Sequence, residues 1–186
     1  LNLSTGHRPV INPYHTLSSF DLIARTVFIS DKEARGSQSA RVLKIPAIAL
    51  EQLNNYISHL KSIQRYFSQL SVKNGEFLKG VIKGENPLFH MIENGKFLAV
   101  TPRILDRFCL DILPLPQNWH RHFIRTWLRN NGAKPYSVDA WMGHIGADGD
   151  PFSRYSGASM KDLESISTLL NKLLTQDLNI KPFESM

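Results

Sequence analysis

The feature that most constrains the fold of this chain is a long apolar stripe that begins a few residues after Pro46. Apolar residues recur there at spacings of three and four, which is the period of one helical face. They are Leu50, Leu53, Ile57, Leu60, Ile63 and Phe67. Proline is favoured at the first position of a helix, and an apolar face has to be buried. The pattern therefore predicts a long helix that is opened by Pro46 and packs on a core.

Two pairs of short apolar segments flank this helix in the sequence. Residues 25–30 and 41–45 are strand-like and predict a β-hairpin, with residues 31–40 as a long, partly basic tip. Residues 88–92 and 96–100 predict a second, smaller hairpin, because an Asn-Gly pair lies between them and favours a tight turn.

The remainder of the chain predicts helices joined by turns. Gly6 is placed to close a helix that is expected to begin before residue 1. Residues 72–87 are expected to form a loop, because they contain Asn74-Gly75 and Asn86-Pro87. Further helices are predicted near residues 103–110, 117–131, 135–143 and 159–175. The expected fold class is therefore mainly α with small β-hairpins, an α+β fold.

Composition narrows the possible functions. The 186 residues suit one domain, and 42% hydrophobic residues are enough for a sizeable core. The net charge of +6 favours a polyanionic partner such as nucleic acid. The single cysteine excludes an intrachain disulfide and fits a reducing cytosol. The sequence has no apolar run long enough to span a bilayer and no glycine-rich phosphate loop, so neither a membrane partner nor nucleotide hydrolysis is expected.

Four short motifs, in a fixed order, carry the chemistry of the chain. They are Ser4-Thr-Gly-His-Arg8, Asn118-Trp-His-Arg121-His122 with Gly132 eleven residues after the arginine, Trp141-Met-Gly-His144, and Arg154-Tyr155-Ser156. In this order they resemble the Thr-Gly-x-Arg, His-x-x-Arg-His and Leu-Gly-His boxes and the nucleophile of the tyrosine recombinases, the phage-integrase family. The resemblance spans residues 4–156. It implies a tyrosine recombinase catalytic-domain fold and an enzyme that cuts and rejoins DNA through a 3′-phosphotyrosine, without a cofactor.

The resemblance makes Arg8 and Arg121 the clamp on the scissile phosphate. Arginine suits this task, because its permanently charged guanidinium donates paired hydrogen bonds to the non-bridging oxygens, where the transition state gathers charge. Each local sequence alone also fits an ordinary surface arginine, and the ordered set of motifs favours the clamp. His120 and His122 flank Arg121 and are expected to add contacts to DNA phosphate.

By the same resemblance Tyr155 is the nucleophile and Lys32 is the general acid for the leaving 5′-oxygen. His144 either bonds the phosphate or assists the tyrosine. Each residue also has a plainer interpretation: a packed aromatic side chain, an exposed lysine at a hairpin tip, and a histidine at a helix C-terminus. Asn118 stands where the family has histidine, and an amide can donate to phosphate but cannot shuttle a proton at neutral pH.

Ile11 stands where the family often has an acidic residue, and together with Asn118 this departure predicts a slow or divergent enzyme. The gap between His144 and Tyr155 is slightly longer than the common form, a departure that bears on how Tyr155 docks in the site. A zinc site built from His120, His122 and His144 is the other interpretation of the histidines. The matching cysteine or carboxylate pattern is lacking, so no metal is expected.

The predicted function is site-specific DNA recombination or integration of a mobile element, on double-stranded DNA and with self-association on the DNA. A cytoplasmic, nucleoid-associated location in a bacterial or phage context is expected. A topoisomerase-like or resolvase activity is the alternative within this chemistry, and a non-catalytic DNA-binding relative that keeps the fold is the alternative outside it. Residues 1–186 are expected to be one catalytic domain, excised from a protein with an N-terminal DNA-binding domain. Residues 157–186 predict a C-terminal helix and tail that pack in cis or are exchanged between subunits.

Overall fold

The computed structural model describes residues 1–8, 15–30, 40–109, 114–116, 118–144 and 159–184. The strands in these ranges are β1 Phe20–Asp21, β2 Thr26–Ser30, β3 Ala40–Lys44, β4 His90–Glu93 and β5 Lys96–Ala99. The helices are α1 Asn2–Thr5, α2 Ala47–Leu70, α3 Val72–Lys83, α4 Pro102–Cys109, α5 Trp119–Asn130, α6 Pro135–Met142 and α7 Met160–Lys172. A 3₁₀ turn covers Leu17–Ser19, and a π-helical turn covers Leu173–Asp177. Helices dominate and the strands form small antiparallel sheets, which confirms the predicted α+β class.

The first predicted hairpin forms a sheet with one added strand. β2 and β3 pair antiparallel over their full lengths, and β1 pairs with the other edge of β2. The sequence did not predict β1. Val27 and Ile29 are buried while Phe28 between them is half-exposed, the alternation expected of a strand with one face on the core. The hairpin tip at residues 31–39, with Lys32, lies outside the described residues.

Helix α2 begins directly after Pro46, which confirms the prediction from the apolar stripe. Leu53, Ile57 and Leu60 are buried in the core. Burial of one such side chain contributes about 1.5–3 kcal/mol. The other three residues of the stripe pack partly buried against the same core: Leu50, Ile63 and Phe67.

The prediction of a loop over residues 72–87 is wrong, because α3 occupies most of this segment. The side chain of Ser71 caps its first turn, and α3 packs its apolar face against α2. Gly75 is not a turn residue here. Its lack of a side chain lets α3 approach Ser68 of α2, since a Cβ at position 75 would lie 2.6 Å from Ser68 Oγ. Burial and close helix contact therefore outweigh the turn preference of the Asn-Gly pair.

The second predicted hairpin is confirmed by β4 and β5, which pair antiparallel. Asn94 and Gly95 form the turn between them, with φ of 49° and 71°. Both values lie in the left-handed region, which asparagine and glycine adopt at least cost and which a tight hairpin turn requires.

Helices α5, α6 and α7 pack on one another, and α7 also contacts α1, α2 and β3. Ser159 and Asp162 form a capping box at the start of α7. Leu163, Ile166 and Leu170 are buried, so α7 contributes to the core of its own chain. Exchange of residues 157–186 between subunits stays a prediction. Among the described residues, no helix combines the length and the apolar character that crossing a membrane requires.

Candidate active site

The second motif lies on α5 and turns one face of that helix into the core. His120, Arg121, Ile124 and Leu128 are buried, at spacings that place them on one side of the helix. Arg121 is 7% exposed and His120 is 1% exposed. A buried charge is stable only when its donors are bonded, so the partners of Arg121 determine what the site can do.

The guanidinium of Arg121 joins the ends of two other helices. Its Nη1 donates to the carbonyl of Gly6, just after α1. Its Nη2 donates to the carbonyl of Met142, the last residue of α6, over 2.8 Å. Arg121 therefore joins the first and third motifs through main-chain acceptors. Its positive charge is also stabilised by the negative, C-terminal end of the α6 dipole.

His120 binds the next carbonyl along the first motif. Its Nε2 donates to His7 O over 2.9 Å, so consecutive residues of α5 hold the consecutive carbonyls of Gly6 and His7. Thr5 Oγ1 donates to Leu1 O over 3.0 Å, which leaves it to accept from His7 Nδ1 over 3.1 Å. The main chain that precedes Arg8 is thereby fixed on both sides.

Gly6 is required at this junction for two reasons. Its φ is +59°, in the left-handed region that closes α1 and that side chains disfavour. A Cβ there would also lie 3.0 Å from Met142 Sδ, so the Met142 side chain would have to shift to make room for it. The prediction that Gly6 closes a helix is confirmed.

His144 enters the site just past the end of α6. Gly143 caps that helix with φ of +64°, and the His144 amide donates to Asp139 O over 2.9 Å. Arg121 Nη2 then reaches His144 Nε2 over 3.3 Å, while His144 Nδ1 lies 3.7 Å from Asp139 Oδ1.

The pKa of His144 is shifted by burial and by the charged groups around the ring. Burial lowers the pKa of His144, the positive charges of Arg121, Arg125 and Arg8 lower it further, and the Asp139 carboxylate opposes them. The bonds of Arg121 and His120 bring the main chain just before Arg8 to the same place as His144, so residues of three different motifs meet here.

Two functional candidates were missed by the sequence reasoning. Arg41 on β3 is 4% exposed, and its Nε donates to Trp141 O over 2.8 Å, beside the Met142 carbonyl that Arg121 holds. The alternation of β3 places Arg41 on the same inward face as Leu43, a signal that was available in the sequence.

The second missed candidate is Asp139 on α6. Its Oδ1 accepts from Arg125 Nη2 over 3.0 Å and from Arg129 Nη2 over 3.4 Å, and it faces His144. These two arginines follow Arg121 on α5 at spacings of four, so a carboxylate partner on a neighbouring helix could have been expected.

Asn118 and His122 lie at the exposed beginning of α5. Asn118 occupies the N-cap position without a capping side-chain bond, and its Nδ2 lies 3.3 Å from His122 Nε2. Both side chains are exposed, as a contact to DNA phosphate would require. His120 was predicted to contact DNA phosphate as well, but it is buried and bonded to His7 O. This geometry favours a role in holding the main chain of the site.

Lys32 and Tyr155 lie outside the described residues, so their roles stay predictions. Tyr136, the other tyrosine of this region, lies at the N-terminal end of α6. Its hydroxyl donates to Asp162 Oδ1 over 3.1 Å. Along the helix axis it is six residues, about 9 Å, away from Met142 and the site.

The described part of the chain contains no cluster of three or more histidine, cysteine, aspartate or glutamate side chains that could hold a metal ion. No protein-family model matches the chain, and neither a curated protein nor a solved structure matches it significantly. The resemblance to the tyrosine recombinases therefore rests on the residues of the four motifs themselves.

Proposed function

We propose that this chain is a divergent tyrosine recombinase catalytic domain that cuts and rejoins double-stranded DNA through a phosphotyrosine. One observation carries the proposal: Arg121 bonds both the carbonyl of Gly6, two residues before Arg8, and the ring of His144, so three motifs that are far apart in sequence meet around the end of α6. Two guanidinium groups and an imidazole suit a phosphodiester, whose transition state gathers negative charge on the non-bridging oxygens.

In the proposed reaction the phenolic oxygen of Tyr155 attacks the scissile phosphorus. The new bond is a 3′-phosphotyrosine, and the bond to the 5′-oxygen breaks. Lys32 gives its proton to that leaving oxygen, and rejoining reverses each step. Phosphodiester bonds are exchanged one for one, so the reaction needs neither a nucleotide nor a metal. Integration or site-specific recombination of a mobile element, by copies that associate on DNA inside a bacterial cell, is the process that uses this chemistry.

The second candidate function is DNA binding without cleavage. It is favoured by Asn118, which lacks the titratable ring that the family has there. It is also favoured by the internal bonds of Arg121 to Gly6 and Met142, which stabilise the fold whether or not the phosphate is cut.

A nicked duplex that traps the covalent intermediate separates the two functions. The duplex carries the DNA that flanks the gene in its native setting, and the assay is a denaturing gel followed by peptide mapping. The parent should form an adduct on Tyr155. Tyr155→Phe should bind DNA about as well as the parent and form none, while Tyr136→Phe is the matched control and should form it normally.

An adduct that survives in Tyr155→Phe, or one that maps to Tyr136, would contradict the assignment of the nucleophile. A parent that binds this DNA tightly and forms no adduct would favour the non-catalytic function.

A further inference from the structure

The carboxylate of Asp139 contacts His144 in addition to pairing with two arginines. Asp139 and His144 are linked twice, once through the main chain, where the His144 amide donates to Asp139 O over 2.9 Å. The second link joins their side chains, because His144 Nδ1 lies 3.7 Å from Asp139 Oδ1. Arg125 and Arg129 hold that carboxylate in place from α5.

The contacts of the His144 ring determine where its proton lies. A guanidinium has only donors, so His144 Nε2, 3.3 Å from Arg121 Nη2, has to accept. A neutral imidazole then carries its proton on Nδ1, which faces the Asp139 carboxylate. At 3.7 Å this contact is longer than a hydrogen bond, yet the negative charge still attracts an N–H and repels a lone pair.

Among the described residues, the charged groups that act on His144 come from three segments of the chain. They are Arg121 and Arg125 from α5, Asp139 from α6, and Arg8 from the segment after α1. Burial and the three cations lower the pKa of the ring, which keeps it neutral at physiological pH. In this arrangement the lone pair on His144 Nε2 accepts from Arg121 Nη2, and it can take up a proton once that N–H turns to the scissile phosphate.

We propose that Asp139 is a positioning residue that holds His144 in the Nδ1–H tautomer, so that His144 Nε2 is the proton acceptor in the cleavage reaction. The inference rests on the proposed function for its second half. The phenolic proton of Tyr155 moves to His144 Nε2 as the bond from oxygen to phosphorus forms. The bond to the 5′-oxygen breaks, the general acid protonates that oxygen, and religation returns the proton to the phenol.

The tautomer is tested without any DNA, by ¹⁵N NMR of the His144 ring in the full chain. The parent should show a protonated Nδ1 and an unprotonated Nε2. Asp139→Ala removes the negative charge that faces Nδ1 and leaves Arg125 there, while Nε2 still faces Arg121, so the preference for Nδ1–H should be lost and the fraction protonated on Nε2 should rise. Asp139→Asn keeps an oxygen that can accept from Nδ1–H and should keep the parent tautomer. Asp177→Asn is the matched control, because Asp177 also accepts from α5, through Trp127 Nε1.

Thermal unfolding checks that each variant is folded at the temperature of the spectra. A parent ring protonated on Nε2, or a tautomer that is unchanged in Asp139→Ala, would overturn the inference. If Asp139→Ala does not fold, the parent spectrum still tests the inference, since a ring protonated on Nε2 would overturn it.

The catalytic half is tested by the rate of adduct formation at saturating DNA. Asp139→Ala should lower this rate roughly ten- to hundredfold, a part of what a general base contributes, with little change in DNA affinity. Because Asp139 raises the pKa of His144, its removal should also move the acid limb of the pH–rate profile to lower pH. An unchanged rate and profile would overturn the role of His144 as acceptor. A parent that forms no adduct would instead overturn the proposed function, while the NMR result would stand.

Discussion

His120 supports the main chain before Arg8, and His120→Leu tests this support. The side chain is 1% exposed and donates from Nε2 to His7 O over 2.9 Å. Leucine fills a similar volume without a donor, so the His7 carbonyl loses this bond in a buried setting. A buried polar group that loses its partner costs about 1–3 kcal/mol. We expect His120→Leu to lower the free energy of unfolding by about this amount, measured by urea denaturation.

Two matched variants test the hydrogen bond from His120 to His7 O separately from other effects of the substitution. His120→Gln carries an amide that can donate to the same carbonyl, so it should recover most of the lost stability. His122→Leu changes the neighbouring exposed histidine and should alter the free energy of unfolding by less than about 0.5 kcal/mol. An equal loss in all three variants would show that the His7 carbonyl is not what His120 stabilises.

Binding to duplex DNA tests whether the support reaches Arg8. His120→Leu should weaken binding in the parent, because the main chain that orients Arg8 is released. In an Arg8→Ala background the same substitution should have little further effect on affinity, since the group that it orients is gone. Equal losses of affinity in the two backgrounds would refute the link between His120 and Arg8.

Four other measurements test the reasoning. Affinity for duplex DNA should fall at least about tenfold from low to physiological salt, because phosphate contacts release counterions, and a flat titration would argue against phosphate-dominated binding. Asn118→His should keep or raise the rate of adduct formation and Asn118→Leu should lower it roughly ten- to a thousandfold, whereas equal rates would show an idle position. Burial lowers the pKa of both His144 and His90 from the ordinary value of 6.5. The folded state therefore disfavours the protonated rings, and the free energy of unfolding should decrease as the pH falls below 6.5. His90→Leu should flatten this decline in urea unfolding between about pH 7.5 and about pH 5, and an unchanged decline would contradict the assignment. Gly143→Ala should lower the free energy of unfolding by about 1–2 kcal/mol or more, because the left-handed φ disfavours a side chain, and a Cβ there would lie 2.8 Å from Arg41 Nη1; a neutral effect in thermal unfolding would refute this.

Periodicity predicted the elements of this fold well where local and tertiary preferences agree. The stripe after Pro46 produced α2, and the Asn-Gly pair at residues 94–95 produced the second hairpin. The other Asn-Gly pair, at residues 74–75, lies inside α3, where the contact of Gly75 with Ser68 and the burial of the helix decide the conformation. The same dipeptide thus forms a hairpin turn in one place and part of a helix in the other, and the tertiary contacts around it determine which.

The candidate site was predictable in its residue types and only partly in its geometry. Motif order pointed to Arg8, Arg121 and His144, and Arg121 does contact both His144 and the carbonyl of Gly6, two residues before Arg8. Which partner each side chain chooses was not predictable, because main-chain carbonyls have no residue type to recognise. His120 shows this, since its place one turn before Ile124 already indicated the buried face, while its acceptor is a carbonyl more than a hundred residues away.

The bonds of Arg121 to the carbonyls of Gly6 and Met142 also bear on how this lineage can change over time. Loss of the arginine would leave two helix ends without their shared donor, so selection for folding alone would keep it. Under the proposed function, a descendant that had stopped cutting DNA would still carry Arg121, while positions that serve only the reaction would drift. The persistence of Arg121 among relatives would therefore be weak evidence of an active enzyme, and a tyrosine retained at position 155 would be the better sign.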